Sequence, residues 1–416
     1  MDQVDHRAHT YIPLWRNRDF VIRFSGQIVS TVGSRVSGIA LPLLVLALTR
    51  SAAQAGIVGA LDSLPVLILG LPAGALIDRW NRKAVMMVSD AGRGLNLGSI
   101  ALALAFGHLT ITQLYINAIL DGILSPFFFL SIQASTRQIV PKEQLGEASS
   151  LDQAAVFSIG LFGPALGGLL YGIGEATPFL VDAVSYVASV ISLAFIRREL
   201  LPGQRHHERP GMWLQIREGF SWLAEHRVVQ HLTLLSGALM LIRSGASLVL
   251  IVLARDLRAS PVEVGLIFSV QAIGGIIGSI VGSRIQARFT VGSITLTTIW
   301  IYALLWPLLV VARNPLALGF VAAGWTLVLP GMQAVQTGYR LLLIPDELQG
   351  RLNSIFRLVH WGAQAIGPAM VGIVFEVVSR QHAVGVMFLA AVLVALYASL
   401  TPSLRRAPRI GDLRPA

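Results

Sequence analysis

Long apolar runs alternate with short polar breaks along almost the whole chain. A helix that crosses a bilayer requires about 20 mostly apolar residues. Runs of that kind fall at 19–48, 54–77, 84–107, 110–132, 148–172 and 178–196, and again at 229–254, 262–283, 292–311, 316–339, 353–378 and 384–401. The breaks carry turn chemistry or charge: Asp78-Arg79, Asn81-Arg82-Lys83, Gly107-His108, Gly174-Glu175 and Arg313-Asn314-Pro315. Glycine and proline recur inside the runs. In a soluble helix that would count against the assignment, whereas in a bilayer small residues bring helix backbones together. The pattern predicts an all-α integral membrane protein of twelve transmembrane helices.

Composition agrees. Of 416 residues, 54% are hydrophobic and 13% charged, against roughly 25% charged in soluble domains. The net charge of +10 is no nucleic-acid signature, because the basic residues cluster between apolar runs, where orientation signals lie. One side of the predicted topology holds Arg16, Arg18, Arg79, Arg82, Lys83, Arg137, Lys142 and most other basic residues, with Arg405, Arg406, Arg409 and Arg414 in the tail. The other holds only Arg50, Arg255, Arg258, Arg313 and Arg380. This bias predicts that both termini are cytoplasmic, as an even number of spans requires. Residues 1–15 hold no cleavable apolar core, so no signal peptide is expected.

The chain repeats itself. Val140-Pro141-Lys142-Glu143 before the fifth run and Ile344-Pro345-Asp346-Glu347 before the eleventh open two segments that match at one constant offset. The same offset pairs Gly163-Pro164-Ala165 with Gly367-Pro368-Ala369, and Gly168 with Gly372. A weaker echo links Gly70, Gly74 and Ile77 to Gly278, Gly282 and Ile285. The expected organisation is a six-helix bundle over 1–197, a cytoplasmic linker over 198–228 and a second six-helix bundle over 229–416. In the linker, Arg205 to Pro210 are hydrophilic, and Trp213, Ile216, Phe220 and Leu223 mark one apolar helix face. Such a helix suits either the membrane surface or the side of a bundle. Two related bundles facing one another leave a cavity at the bilayer midplane.

Gly74-Ala75-Leu76-Ile77-Asp78-Arg79-Trp80-Asn81-Arg82-Lys83 resembles the signature loop of the major facilitator superfamily, which usually has Gly where Asn81 stands. Gly163-Pro164-Ala165-Leu166-Gly167-Gly168 is similar to that family's antiporter motif, found mainly in exporters. The motif's usual upstream Gly would fall at Ile159, whereas here it is Gly160. Leu14-Trp15-Arg16-Asn17 and Ala40-Leu41-Pro42-Leu43-Leu44-Val45 resemble the branch of macrolide-efflux and enterobactin exporters. The resemblance implies a secondary active transporter of a bacterial inner membrane. It would export a small, partly hydrophobic molecule such as a drug or siderophore by proton antiport and alternating access. Proton-coupled uptake, lipid flipping and a non-transporting role on the same fold stay open. In this reading Asp78, Arg79, Arg82 and Lys83 latch the two bundles together through ion pairs and helix-end contacts.

Ionisable groups within spans are costly and usually face a cavity or a partner. The candidates for proton coupling or the substrate cavity are Arg35, Asp62, Asp121 and Arg243. Proton coupling requires a carboxylate reachable from each side in turn, and Asp62 and Asp121 are best placed; either could instead form a permanent salt bridge, for which Arg35 is a possible partner. Asp90 and Arg93, three residues apart, are expected to pair. Asp152 is expected to join the charges of the signature loop, Asp182 to be structural, and His360 to be a hydrogen-bonded packing residue. Phe127, Phe128, Phe129, Trp300, Trp306, Trp325 and Trp361 are candidates for an apolar lining. The chain lacks cysteine, HExxH, Gly-x-Ser-x-Gly and a nucleotide-binding phosphate loop. No enzyme, cofactor, metal or nucleic-acid partner is therefore expected. The expected partners are the cargo, protons and lipid, and the expected state is a monomer.

Overall fold

A computed structural model describes residues 13–198, 200, 212–286 and 288–412. The helices are α1 (Arg18–Thr49), α2 (Ala52–Ile77), α3 (Arg82–Ala105), α4 (Ile111–Ile139), α5 (Leu145–Ile173), α6 (Thr177–Ala194), α7 (Met212–Glu225) and α8 (Arg227–Asp256). They continue with α9 (Pro261–Ile285), α10 (Val291–Leu304), α11 (Leu308–Val311), α12 (Pro315–Leu343), α13 (Asp346–Val377), α14 (Arg380–Leu400) and α15 (Pro402–Arg405). No strand occurs among the described residues.

Several breaks begin the next helix with a side-chain cap. Asn17, Ser51, Thr110, Ser260, Thr290 and Asn314 each accept from a backbone N–H in the first turn that follows. These caps satisfy donors that the helix itself leaves open. One expected run is divided: 292–311 breaks into α10 and α11, because Pro307 lacks the N–H that a continuous helix would use there.

Among the described residues, eleven segments are long and apolar enough to cross a membrane. The twelfth expected span, α3, falls short because Asp90, Arg93 and Asn96 interrupt its apolar run. Large apolar side chains cover the outside; Leu95, for example, is 79% exposed. Water would not tolerate such a surface, and a bilayer requires it.

Helices α1 to α6 pack among themselves, as do α8 to α14, and the two halves meet mainly where α2 lies on α13 and α5 on α9. Glycine makes these crossings possible. A side chain at Gly56 would strike the carbonyl of Pro368, and one at Gly265 the carbonyl of Pro164. Gly372 sits likewise against Ala52, and Gly168 against Pro261. The crossings are therefore pseudo-symmetric, and they gather at the face away from the chain termini. Polar contacts between the halves gather there too: Ser51 Oγ donates to Glu376 at 2.9 Å, and Arg255 Nη1 to the Leu46 carbonyl at 2.8 Å. Toward the termini a Cβ at Gly74 or Gly160 would meet open space.

Linker helix α7 lies beside α13, where Glu218 pairs with Arg351 and Gly219 faces Ile355. Leu223 is buried in the second half. Of the two readings for an amphipathic linker helix, the structure shows the one packed on a bundle. Arg205 to Pro210, the side chains of Trp213, Ile216 and Phe220, and Arg414 lie outside the described residues.

Candidate functional site

Each half holds a cavity of its own. In the first half, α1, α2, α3, α4 and α6 surround about 250 Å³ lined by Asp62, Arg93, Asp121, Asp182 and Tyr186, among others. Arg93 donates through Nε to Asp121 Oδ1 at 2.8 Å and through Nη2 to Oδ2 at 3.2 Å. This two-point pairing is the strongest geometry open to the two groups. The guanidinium also lies 4.6 Å from the centre of the Tyr186 ring, whose hydroxyl is 2.8 Å from Ser34 Oγ. Asp182 is fully buried and accepts from Ser37 and from Ser185.

These contacts correct the expected pairing within α3. Arg93 turns to Asp121 on α4, while Asp90 is 0% exposed, forms no ion pair among the described residues and has Ser189 of α6 as its polar neighbour. The two residues are three apart, but the helix directs one toward α4 and buries the other. Asp62 is different again: it lines the cavity yet forms no ion pair or hydrogen bond with any described residue. Arg35 is partner to neither acid; its Cβ packs on Gly163 and its side chain is exposed. Asp152 does not join the signature loop. It pairs with Arg23, 1% exposed, at 2.8 Å, and Thr136 and Gln27 complete that arginine's contacts.

The second half encloses about 350 Å³ lined by Arg243, Arg340, His360, Gln336, Met240, Met332 and Phe356, with other small and polar residues. Arg243 contacts Met240 Sδ at 3.0 Å. Among the described residues, Arg340 donates only to the Gln336 carbonyl and Thr337 Oγ1, both at 3.3 Å, and lies over the Phe356 ring at 4.4 Å. His360 lines this cavity without a hydrogen bond among the described residues, so it is not the bonded packing residue expected.

The seven aromatic candidates line neither cavity. Trp306 and Trp325 are buried against Tyr302, with the two indole centroids 4.7 Å apart. Trp300 donates to Ser399, Trp361 packs on Gly70, Phe127 stacks on Trp80, Phe128 is in the first half's core and Phe129 is exposed. The aromatic groups that do reach a cavity are Phe179, Tyr186 and Phe356.

Residues 8–410 match the family described as transmembrane secretion effectors, a branch of the major facilitators. The chain belongs to the major facilitator superfamily. It is a multi-pass membrane transporter and not an enzyme. The enterobactin exporter EntS of Salmonella typhi is 22% identical over 358 residues, covering 84% of each chain. The multidrug efflux pump Tap of Mycobacterium tuberculosis (strain ATCC 25618 / H37Rv) is 26% identical over 409 residues, covering 94% of each. Among solved structures, the nucleoside transporter NupG (D323A mutant) superposes with a TM-score of 0.76 at 12% identity, covering 91% of this chain and 99% of that one. A bacterial homologue of the iron transporter ferroportin gives 0.71 at 16%, covering 92% and 98%. These structural likenesses speak to fold.

In this facilitator the signature loop stays within the first half. Lys83 Nζ donates to the carbonyls of Ala194 and Ile196 at 2.9 and 2.8 Å, closing the C-terminal end of α6. Arg82 lies 3.7 Å from Asp78. Asn81, the departure from the family pattern, caps α3 by accepting from the N–H groups of Lys83 and Ala84. In the antiporter-like segment, Gly163 packs on Arg35, Gly167 on the Val36 backbone and Gly168 on α9, while Pro164 presents its carbonyl to Gly265. Sequence reasoning named Arg93 only as a structural partner and counted Arg340 only as an orientation charge. The signal it passed over was in the acids: from Val264 to Pro345 the chain contains none.

Proposed function

We propose that the chain is a proton-coupled exporter of a small, partly hydrophobic molecule, working by alternating access from a bacterial inner membrane. The observation that carries this reading is the triad of Asp62, Arg93 and Asp121 on the first cavity, in which one carboxylate is held at 2.8 Å and the other is free. With both acids ionised the triad carries one net negative charge; with one proton bound it is neutral. A buried charge without compensation is costly in a bilayer. Only the neutral triad passes through a closed intermediate without that cost, and this links the movement of a proton to the rocking of the halves.

The arginine bias assigns the termini to the cytoplasm. The halves then meet at the outer face and part at the inner one, in a state open to the cytoplasm. Asp78, Arg79, Arg82 and Lys83 stand at that inner face as a latch in its released position, which engages the second half when the cavity turns outward. The exporters EntS and Tap among the relatives favour the outward direction. We assign the working unit to a monomer.

The test is proton flux in inverted membrane vesicles, with lipophilic drugs and siderophores added to wild type, Asp62→Asn and Asp121→Asn. Cargo-dependent loss of an established pH gradient is expected in wild type and is absent from Asp62→Asn. A compound transported without disturbing the gradient would remove proton antiport. Cargo movement down its own gradient that acidifies the opposite compartment would instead indicate symport.

A further inference from the structure

Between Arg227 and Pro402 the second half contains five acids, Asp256, Glu263, Asp346, Glu347 and Glu376, all near helix ends. Among the described residues, its cavity is correspondingly lined by no carboxylate. Yet two arginines open into it, and neither forms an ion pair among the described residues. The same cavity contains a further unused donor. Ser236 donates to Gln336 Oε1 at 2.7 Å, which leaves the buried Gln336 Nε2 without an acceptor. His360 faces the same space. Gln336 is buried, and a buried donor without an acceptor is uncommon and calls for an explanation, whereas Arg243 is exposed and Arg340 half-buried. Guanidinium groups in particular present fixed forks that fit carboxylates and similar oxyanions. Met240, Met332 and Phe356 supply the rest of the wall, so what fits is an anionic group on an apolar body.

We infer that this cavity binds the negatively charged group of an amphiphilic cargo that enters from the aqueous side, with Arg243, Arg340 and Gln336 as its ligands. The inference rests on the exporter reading for what happens to the bound molecule, but not for the binding itself. Cation selection by the acidic first cavity is the rival assignment, and the two differ in the sign of the preferred charge.

The experiment uses three naphthalenes of one size: 2-naphthoate, neutral 2-naphthamide and cationic 2-naphthylmethylammonium. Binding is measured by fluorescence on the purified full chain in phosphatidylcholine nanodiscs. The naphthoate is expected to bind at least about tenfold more tightly than the other two. Arg243→Gln and Arg340→Gln are each expected to weaken naphthoate about tenfold while leaving the amide unchanged, which also shows the variants to be folded. The lysine variants at the same positions are expected to retain most of the preference for the anion. Equal binding of all three probes, preference for the ammonium, undetectable naphthoate binding, or naphthoate binding indifferent to both substitutions would each overturn the inference. Progressive loss of naphthoate binding as phosphatidylglycerol replaces phosphatidylcholine would also overturn it, by assigning the cavity to a lipid headgroup. Failure of the proton-flux test with arginine-dependent naphthoate binding intact would remove proton coupling and leave the anion site standing.

Discussion

The two halves repeat one another in backbone and oppose one another in charge. Gly163 and Gly367 each pack on the first helix of their own half, α1 and α8, and Gly168 and Gly372 each pack on the second helix of the other, α9 and α2. By the offset that joins these glycines, Asp152 corresponds to Phe356 and Thr136 to Arg340. In the first half the termini-side arginine, Arg23, is buried and held by Asp152. In the second, Phe356 stands at the position of Asp152, and Arg340, at the position of Thr136, lies over its ring. A repeated scaffold constrains the positions where backbones touch and leaves the charges free to diverge. On the proposed reading, one half then serves protons and the other an anion.

The comparison is sharpest in stability. Asp152→Asn leaves Arg23 buried without its counter-charge and is expected to cost about 3–5 kcal/mol. Arg340→Gln removes no ion pair and is expected to cost under about 1 kcal/mol. Thermal unfolding of the two purified variants side by side checks this, and equal losses would erase the distinction between a structural and a functional arginine. Next in size, Phe356→Asp gives the second half the carboxylate of the first. Binding of 2-naphthoate is expected to fall about a hundredfold as the new acid occupies Arg340 and repels the probe. Unchanged affinity would show that Arg340 does not face the ligand.

Gly168→Val addresses what the halves share. The added side chain meets the Pro261 backbone, and overpacking of this kind typically costs about 1–3 kcal/mol. Export is expected to drop about tenfold through loss of the state closed at the outer face, while naphthoate binding persists. Cysteine labelling from that face would report the open seam, and full activity would mean the seam tolerates bulk. The smallest expected effect is that of Asn81→Gly. Restoring the usual family residue removes a cap but retains a tolerated one, for a loss of a few tenths of a kcal/mol. A larger loss in thermal unfolding would give Asn81 a role beyond capping α3.

The sequence revealed the scaffold because its signals are local and repeated. Apolar run length marked the helices, turn-forming and charged residues marked the breaks, and the Gly-Pro echo marked contacts that are pseudo-symmetric in the structure. The candidate site was less legible, since its pairings join distant positions. Asp90 and Arg93 share a helix and adjacent turns, but nothing local reveals that Arg93 faces α4 while Asp90 is enclosed. Arg340 sits in the last turn of α12, where a basic residue is expected for orientation and helix-end reasons alone. That it faces a cavity without a carboxylate partner among the described residues becomes visible only when α8, α12 and α13 are seen around one cavity. Asp62 and Asp121 were named together as candidates, both line the first cavity, and geometry alone distinguishes the unpaired one from the held one.

The outer seam deserves to be considered as a bearing rather than a bolt. At Gly56, Gly168, Gly265 and Gly372 the surfaces in contact are peptide groups, whose own hydrogen bonds lie inside their helices. Parting the surfaces at these four glycines would break no hydrogen bond within either helix, so the resistance to rocking falls to flanking contacts such as Ser51–Glu376 and Arg255–Leu46. Such a joint has little preference between its two positions. The decision passes to whatever occupies the cavities, and a machine with a nearly indifferent joint can be driven by ligands of modest affinity.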